Sequence, residues 1–299
     1  MNASVFKTHY NDIKQVLSKT LGKAIEDDIM TQGAAIAFYT IFSIAPLFIL
    51  IVSVSDLFLS EAAIRAQVES QLNNFVGPDI TSSLMAYFES VTFRTSGIFT
   101  TVVAVLTLAF GATTVITQLK NTLNIIWKIE SVEINSIWNF LLNRLLSFGV
   151  IILSTALLVM SLMAEFVIGV VSEFFSQNLP GLNLDLYLIV SELTTIALAV
   201  VFFALIFKIL PDVNAPWKDI FVGALGTTLL FLLGVYLIGL YLTASGIGAA
   251  YRAAGSFIIF IVWVYYNILT ILLGAIFTQV YTELHGGTIK PYKYVKMRG

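Results

Sequence analysis

Long apolar runs alternate with short polar segments along the chain. A helix that crosses a bilayer needs about 20 mostly apolar residues. Six runs reach that length, at about 33–59, 97–119, 140–171, 186–210, 220–242 and 255–280. Hydrocarbon offers no water to backbone N–H and C=O groups, so runs this long must satisfy them internally as helices. The run at 140–171 exceeds the need and is expected to tilt or to extend beyond the bilayer. Alternating ten-residue segments, the mark of an outer-membrane barrel, are absent. The pattern therefore predicts an all-α integral membrane protein. Its fold class is a six-transmembrane-helix bundle with amphipathic surface helices.

Two further stretches are amphipathic. Phe6, Tyr10, Ile13, Leu17, Leu21, Ala24 and Ile29 recur at roughly helical spacing over 4–29. This segment is expected either to lie on the inner membrane surface, with Lys7, Lys14 and Lys23 reaching anionic headgroups, or to pack beneath the bundle. In 60–95, Ile64, Val68, Leu72 and Phe75 form one stripe and Ile80, Leu84, Tyr87 and Val91 a second, with Gly77-Pro78 between them. That reads as an amphipathic helical hairpin lying on the outer face of the membrane or over a cavity mouth. The chain thus divides into an amphipathic cytoplasmic segment at 1–31, a six-helix transmembrane domain at 32–282, and a basic cytoplasmic tail at 283–299. The run Pro211–Trp217 is expected to be a rigid turn with Trp217 as an interfacial anchor. Ala244–Ala250, with Gly246 and Gly248, is expected to be a flexible or tight external loop.

Composition agrees with a membrane class. Of 299 residues, 58% are hydrophobic and 11% charged, against about 25% charged in a soluble domain. Lysine and arginine give the orientation. Thirteen of them fall on one side of the six runs, from Lys7 in the leading segment to Arg298 in the tail, while only Arg65, Arg94 and Arg252 fall on the other. The side rich in Lys and Arg is cytoplasmic, so both termini are expected in the cytoplasm. The first 30 residues are polar and the first apolar run is too long for a signal-peptide core, so no cleavage is expected. No cysteine is present, which excludes disulfides, thiolate metal sites and thiol catalysis.

Ionisable groups at membrane depth are costly and mark candidate function. Glu165 and Glu192 lie toward the outer ends of the third and fourth runs, and Arg252 in the loop before the sixth is the cation available to them. Tyr39, Ser43 and Pro46 fall on one face of the first run, where Pro46 removes a backbone hydrogen bond and kinks the helix. Tyr266, Asn267 and Gln279 lie in the last run. These nine residues are the candidate substrate-binding set. Several have a plainer reading: interfacial carboxylates for the acids, a packing bend at Pro46 with own-helix bonding for Ser43, helix-to-helix bonding for Asn267. Gly223, Gly226 and Gly234 permit close packing of the fifth run.

Enzyme chemistry finds no support. His9 and His285 stand alone in the terminal segments, and no paired metal ligands, phosphate loop or basic nucleic-acid face is present. No catalytic residue, metal or cofactor is expected, and no nucleic acid is among the expected partners.

One resemblance adds to this. The runs Ala34-Ala35-Ile36-Ala37-Phe38-Tyr39-Thr40-Ile41-Phe42-Ser43-Ile44-Ala45-Pro46, Phe110-Gly111, Leu123-Asn124-Ile125-Ile126-Trp127 and Leu210-Pro211 with Trp217 resemble the YihY/BrkB family of bacterial inner-membrane proteins. So does the stretch from Tyr251 through Ala254-Gly255-Ser256, Trp263, Tyr265-Tyr266, Leu273-Gly274-Ala275 and Phe277-Thr278 to Tyr281. The resemblance covers about 32–281 and implies six spans with cytoplasmic termini in a bacterial inner membrane. Some members carry a ribonuclease BN label, which conflicts with the missing chemistry here, and fold alone does not give function. The favoured reading is a non-enzymatic transporter or lipid-handling protein with a cavity for an amphipathic or small solute. Membrane lipids would be partners, with self-association into a homo-oligomer left open. The alternatives are a scaffold that transports nothing and, distantly, a membrane-associated ribonuclease.

Overall fold

The computed structural model describes residues 3–55, 69, 81–82, 85, 98–131, 149, 185–245, 247–285, 287–292 and 295–297. The hairpin expected at 60–95, the third apolar run at 140–171 and Glu165 lie essentially outside the described residues. What is described is mostly helical. In chain order it comprises α1 (Ala3–Glu26), α2 (Ile29–Ser55), α3 (Ile98–Ile126), β1 (Ile129–Ser131), α4 (Asp185–Ile209), β2 (Val213–Asn214), α5 (Trp217–Ser245), α6 (Ile247–Leu284), β3 (Lys290–Pro291) and β4 (Val295–Met297). Among the described residues, three segments are long and apolar enough to cross a membrane: Glu192–Ile209, Trp217–Leu237 and Phe260–Leu284. They coincide with the fourth, fifth and sixth apolar runs. The described parts of the first and second runs are helical as α2 and α3.

The helix ends follow local chemistry. α1 stops where Asp28 turns left-handed at φ 46°, with Asp27 N–H donating to the Lys23 carbonyl at 2.9 Å. α3 stops in the same way at Lys128, φ 53°, with Lys128 N–H on the Ile125 carbonyl at 2.9 Å. Pro216 opens α5: its fixed φ suits a helix start, and its carbonyl accepts from Asp219 and Ile220, both at 3.1 Å. At the other end of α5 the expected loop is shorter than its composition suggests. α5 continues to Ser245 and α6 begins at Ile247, so Arg252 lies in the first turns of a helix and not in a loop.

Two small sheets modify the all-helical expectation. β1 pairs antiparallel with β4, setting Glu130 opposite Lys296, and β2 pairs antiparallel with β3, setting Asn214 opposite Lys290. Residues 290–291 and 295–297 thus fold back by strand pairing, and part of the turn at 211–217 is itself a strand.

The chain forms two compact units: residues 1–28, 120–230 and 271–299 in one, and 29–119 and 231–270 in the other. The core of the first holds Leu123 and Ile126 from the end of α3 with Trp127 just after it, Phe207 from the end of α4 with Leu210 just after it, Ile220 from α5, and Leu272 and Ile276 from α6, all fully buried. In the second, Ile36 and Ala37 of α2 and Phe260, Val264 and Ile268 of α6 are buried. There α2 meets α6 through Gly33, where an added methyl would come within 2.9 Å of Leu269, and Tyr265 donates to the Met30 carbonyl at 3.2 Å. α2 meets α3 through Gly111, which Ser43 overlies, and through a hydrogen bond in which Gln118 Nε2 donates to Gln32 Oε1 at 3.2 Å.

Candidate functional site

Polar side chains inside apolar helices must find partners, and where they find them separates packing from ligand binding. Nine hydroxyls among the described residues turn back on their own helix. Thr20, Thr40, Thr107, Thr114, Thr227, Thr228, Thr278 and Thr282 each donate to the carbonyl four residues earlier, at 2.6 to 2.9 Å. Ser43 does the same to Tyr39 O at 2.8 Å. This leaves the hydroxyl quiet and the small side chain free to pack.

In the second unit, then, Tyr39 and Ser43 are joined through Tyr39's backbone. Tyr39 is part-exposed beside the rings of Phe38, at 5.7 Å. α2 runs helically through Pro46, whose side chain lies outside the description, as does that of Arg252. Tyr266 is half-buried and lies directly over Gly234 of α5. Asn267, also half-buried, donates through its amide nitrogen to the Trp263 carbonyl at 2.6 Å. Its amide oxygen takes no hydrogen bond among the described residues.

In the first unit, Glu192 is exposed at the start of the span in α4. Gln279 is only 1% exposed and fully engaged. It accepts from the Lys23 ammonium and donates to Glu283 Oε1 at 3.0 Å. Lys23 thus ties the end of α1 to the end of α6. Burial is the main influence on this lysine and holds it below its ordinary 10.5, against the opposing pull of Glu283 and Asp27. Burial likewise raises Asp27 above its ordinary 3.8, ahead of the lowering effect of Lys23. Two buried atoms here, Asp27 Oδ2 and Trp127 Nε1, have no hydrogen-bond partner among the described residues.

A second polar assembly in this unit had no counterpart among the candidates. Asn124 and Asp212 exchange two hydrogen bonds, and Lys120 lies 3.0 Å from Asp212 Oδ1. Tyr292 N–H reaches the Asp212 carbonyl at 3.2 Å. Lys120 is therefore a buried residue of α3 held by an ion pair. Lys208 caps the same α4–α5 turn: its ammonium donates to Asn214 Oδ1 at 2.7 Å and the Ala215 carbonyl at 2.8 Å, and sits 5.3 Å from the Trp217 ring centre. Among the described residues no group of three His, Asp or Glu is placed to hold a metal ion.

The structure thus ties Tyr39 to Ser43, gives Gln279 to a latch with Lys23, and shows no hydrogen bond to the Asn267 oxygen or the Glu192 carboxylate among the described residues. The sequence signal for the latch was slight: a lysine near the end of α1 and a glutamine near the end of α6, 256 positions apart.

A family model described as Virulence factor BrkB matches residues 20–294. Among curated relatives, a UPF0761 membrane protein of Alteromonas mediterranea is 26% identical over 287 residues, covering 93% of this chain and 92% of its own. UPF0761 membrane proteins of Ralstonia nicotianae and Pseudomonas paraeruginosa are each 24% identical, over 85% and 90% of this chain. The chain spans 56% and 63% of the length of those two. No solved structure matches.

Proposed function

The chain belongs to the virulence factor BrkB family, and on that premise we propose that it is a non-enzymatic transporter or lipid-handling protein of a bacterial inner membrane. It crosses the bilayer six times with both termini in the cytoplasm. Its cargo is an amphipathic or small solute that enters a hydrated hollow reached from the outer side. One observation carries this reading. Asn267 lies within the span Phe260–Leu284, and its amide oxygen takes no protein hydrogen bond among the described residues. An unmet amide acceptor at membrane depth costs several kcal/mol unless water or solute meets it (about 1–3 on protein scales). In this reading Asn267 and Tyr266 line the hollow, with Tyr39, Ser43 and Pro46 on the first span. Arg252 supplies charge toward the outer side of this second unit, while Glu165 and Glu192 lie toward the outer ends of their own runs in the first unit. Gln279 binds no solute while Lys23 holds it.

The test is flux in reconstituted liposomes, using fluorescent phospholipid analogues and small amphipathic dyes as probes. The proposal expects flux above protein-free vesicles, reduced by the combined Ser43→Ala, Glu192→Gln and Asn267→Leu change. Wild-type flux in that variant eliminates the site.

A second reading, a scaffold that transports nothing, is favoured by the hydroxyls that bond to their own helices. It expects no flux for any probe.

A further inference from the structure

α1 has two adjacent faces with different surroundings. Val16, Thr20 and Ala24 recur every four residues and are buried. Leu17, Leu21 and Ile25 stand one position further on and are 50%, 62% and 79% exposed. The helix therefore packs on the protein by one stripe and leaves the neighbouring aliphatic stripe uncovered. The packed stripe is fixed in place by Lys23, whose ammonium is committed to Gln279.

The charges around the open stripe are segregated. Lys14 precedes Leu21 by seven residues, two helical turns, and so shares its face. Asp12, Lys19, Lys23 and Glu26 lie about 140° or more around the helix from Leu21, at about 100° per residue. Asp12 is thus turned away from the whole stripe, and Glu26 from Leu17 and Leu21. Aliphatic side chains with a lysine among them and carboxylates opposite make the pattern of a helix resting in the interface of an anionic bilayer. A second copy of the chain would find no acid on this face to meet Lys14.

We propose that the stripe Leu17–Leu21–Ile25 is a docking face for an anionic lipid leaflet, with Lys14 at the headgroup phosphates. α1 is then clamped between the protein on one side and the leaflet on the other. This rests on the chain being a membrane protein and not on its transporting anything.

The absence of cysteine makes the test direct. Single cysteines replace Leu21, Ile25, Asp12 or Glu26 in the full chain, and each is labelled with an environment-sensitive nitrobenzoxadiazole dye. The chain is reconstituted in vesicles of phosphatidylcholine with phosphatidylglycerol, some carrying spin-labelled quencher lipid. Elution as one species shows that the labelled chains stay folded. The expected result is quenching at 21 and 25 on the order of twofold or more above that at 12 and 26. Lys14→Glu, or pure phosphatidylcholine vesicles, should lower quenching at 21. Equal quenching at all four positions overturns the proposal. So does dye-to-dye energy transfer between copies at 21 and 25 without lipid quenching, which assigns the face to a second copy. Quenching indifferent to Lys14→Glu and to lipid charge overturns the anionic preference. None of these readouts depends on flux, so failure here is distinct from failure of the transport reading.

Discussion

Asn124 and Asp212, 88 positions apart, hold each other by two hydrogen bonds of 2.9 Å: the Asn124 amide donates to Asp212 Oδ2, and the Asp212 backbone N–H donates to Asn124 Oδ1. Lys120 completes the set one turn earlier on α3. The end of α3 is thereby fixed to the turn between α4 and α5, and through Tyr292 to the segment after α6.

Removing one partner of a buried ion pair is costlier than removing both, because it strands a charge. Asp212→Asn should destabilise the detergent-solubilised protein by about 3 kcal/mol. Adding Lys120→Met should return part of that loss. Thermal unfolding of the two single variants and the double variant checks this; strictly additive losses would show that the pair acts independently.

Between α5 and α6, Gly223 and Gly274 each receive a threonine from the opposite helix, Thr278 and Thr227. Each threonine hydroxyl bonds the carbonyl of the glycine on its own helix, at 2.6 and 2.7 Å. Hydrophobic driving force is lacking between helices in lipid, so such close fit holds them together. Gly223→Ala should cost about 1–3 kcal/mol by overpacking. Gly223→Ala with Thr278→Ala should cost less than Gly223→Ala alone. Equal melting temperatures for wild type and Gly223→Ala would show that the contact relaxes freely.

The Lys23 latch should respond to pH. The unfolded chain keeps the ordinary 10.5, while the folded lysine lies lower. Between the two values the unfolded state binds more protons, so stability rises with pH up to about 10.5 and falls as pH drops through the folded value. Asp27, raised from 3.8, acts with the opposite sign in its own acidic window. Melting temperature followed from neutral pH to 10.5 should climb in wild type relative to Lys23→Met. Lys23→Met should also be less stable at neutral pH by about 1–3 kcal/mol, because it leaves the Gln279 oxygen buried without its donor. Parallel pH profiles would show that Lys23 titrates alike in the folded and unfolded chain.

The helices were legible because hydropathy is a local signal: the runs at 186–210, 220–242 and 255–280 recur as α4, α5 and α6. The small sheets were not. β1 and β4 have three residues each, and their pairing of Glu130 with Lys296 joins segments far apart in sequence. The same limit applies to polar partners. Gln279 reads as a polar group at membrane depth, but nothing local says that Lys23 meets it. Asn124 drew attention only within a resembling run, because its partner Asp212 sits in a turn that composition marks merely as rigid. Ser43 was legible in both its readings, and the structure selects own-helix bonding for its hydroxyl.

The central claim is that Asn267 faces water within its span. The cysteine-free chain allows Asn267→Cys and, as a packed reference on the same helix, Ala275→Cys, at a position 0% exposed. Only the thiolate reacts with a charged, membrane-impermeant thiol reagent, so reaction requires a hydrated path. In sealed vesicles the account predicts labelling at 267 and none at 275, with 267 protected by a transported solute. A cysteine at 267 as inert as the one at 275 would contradict the hydrated hollow and leave the scaffold reading in its place.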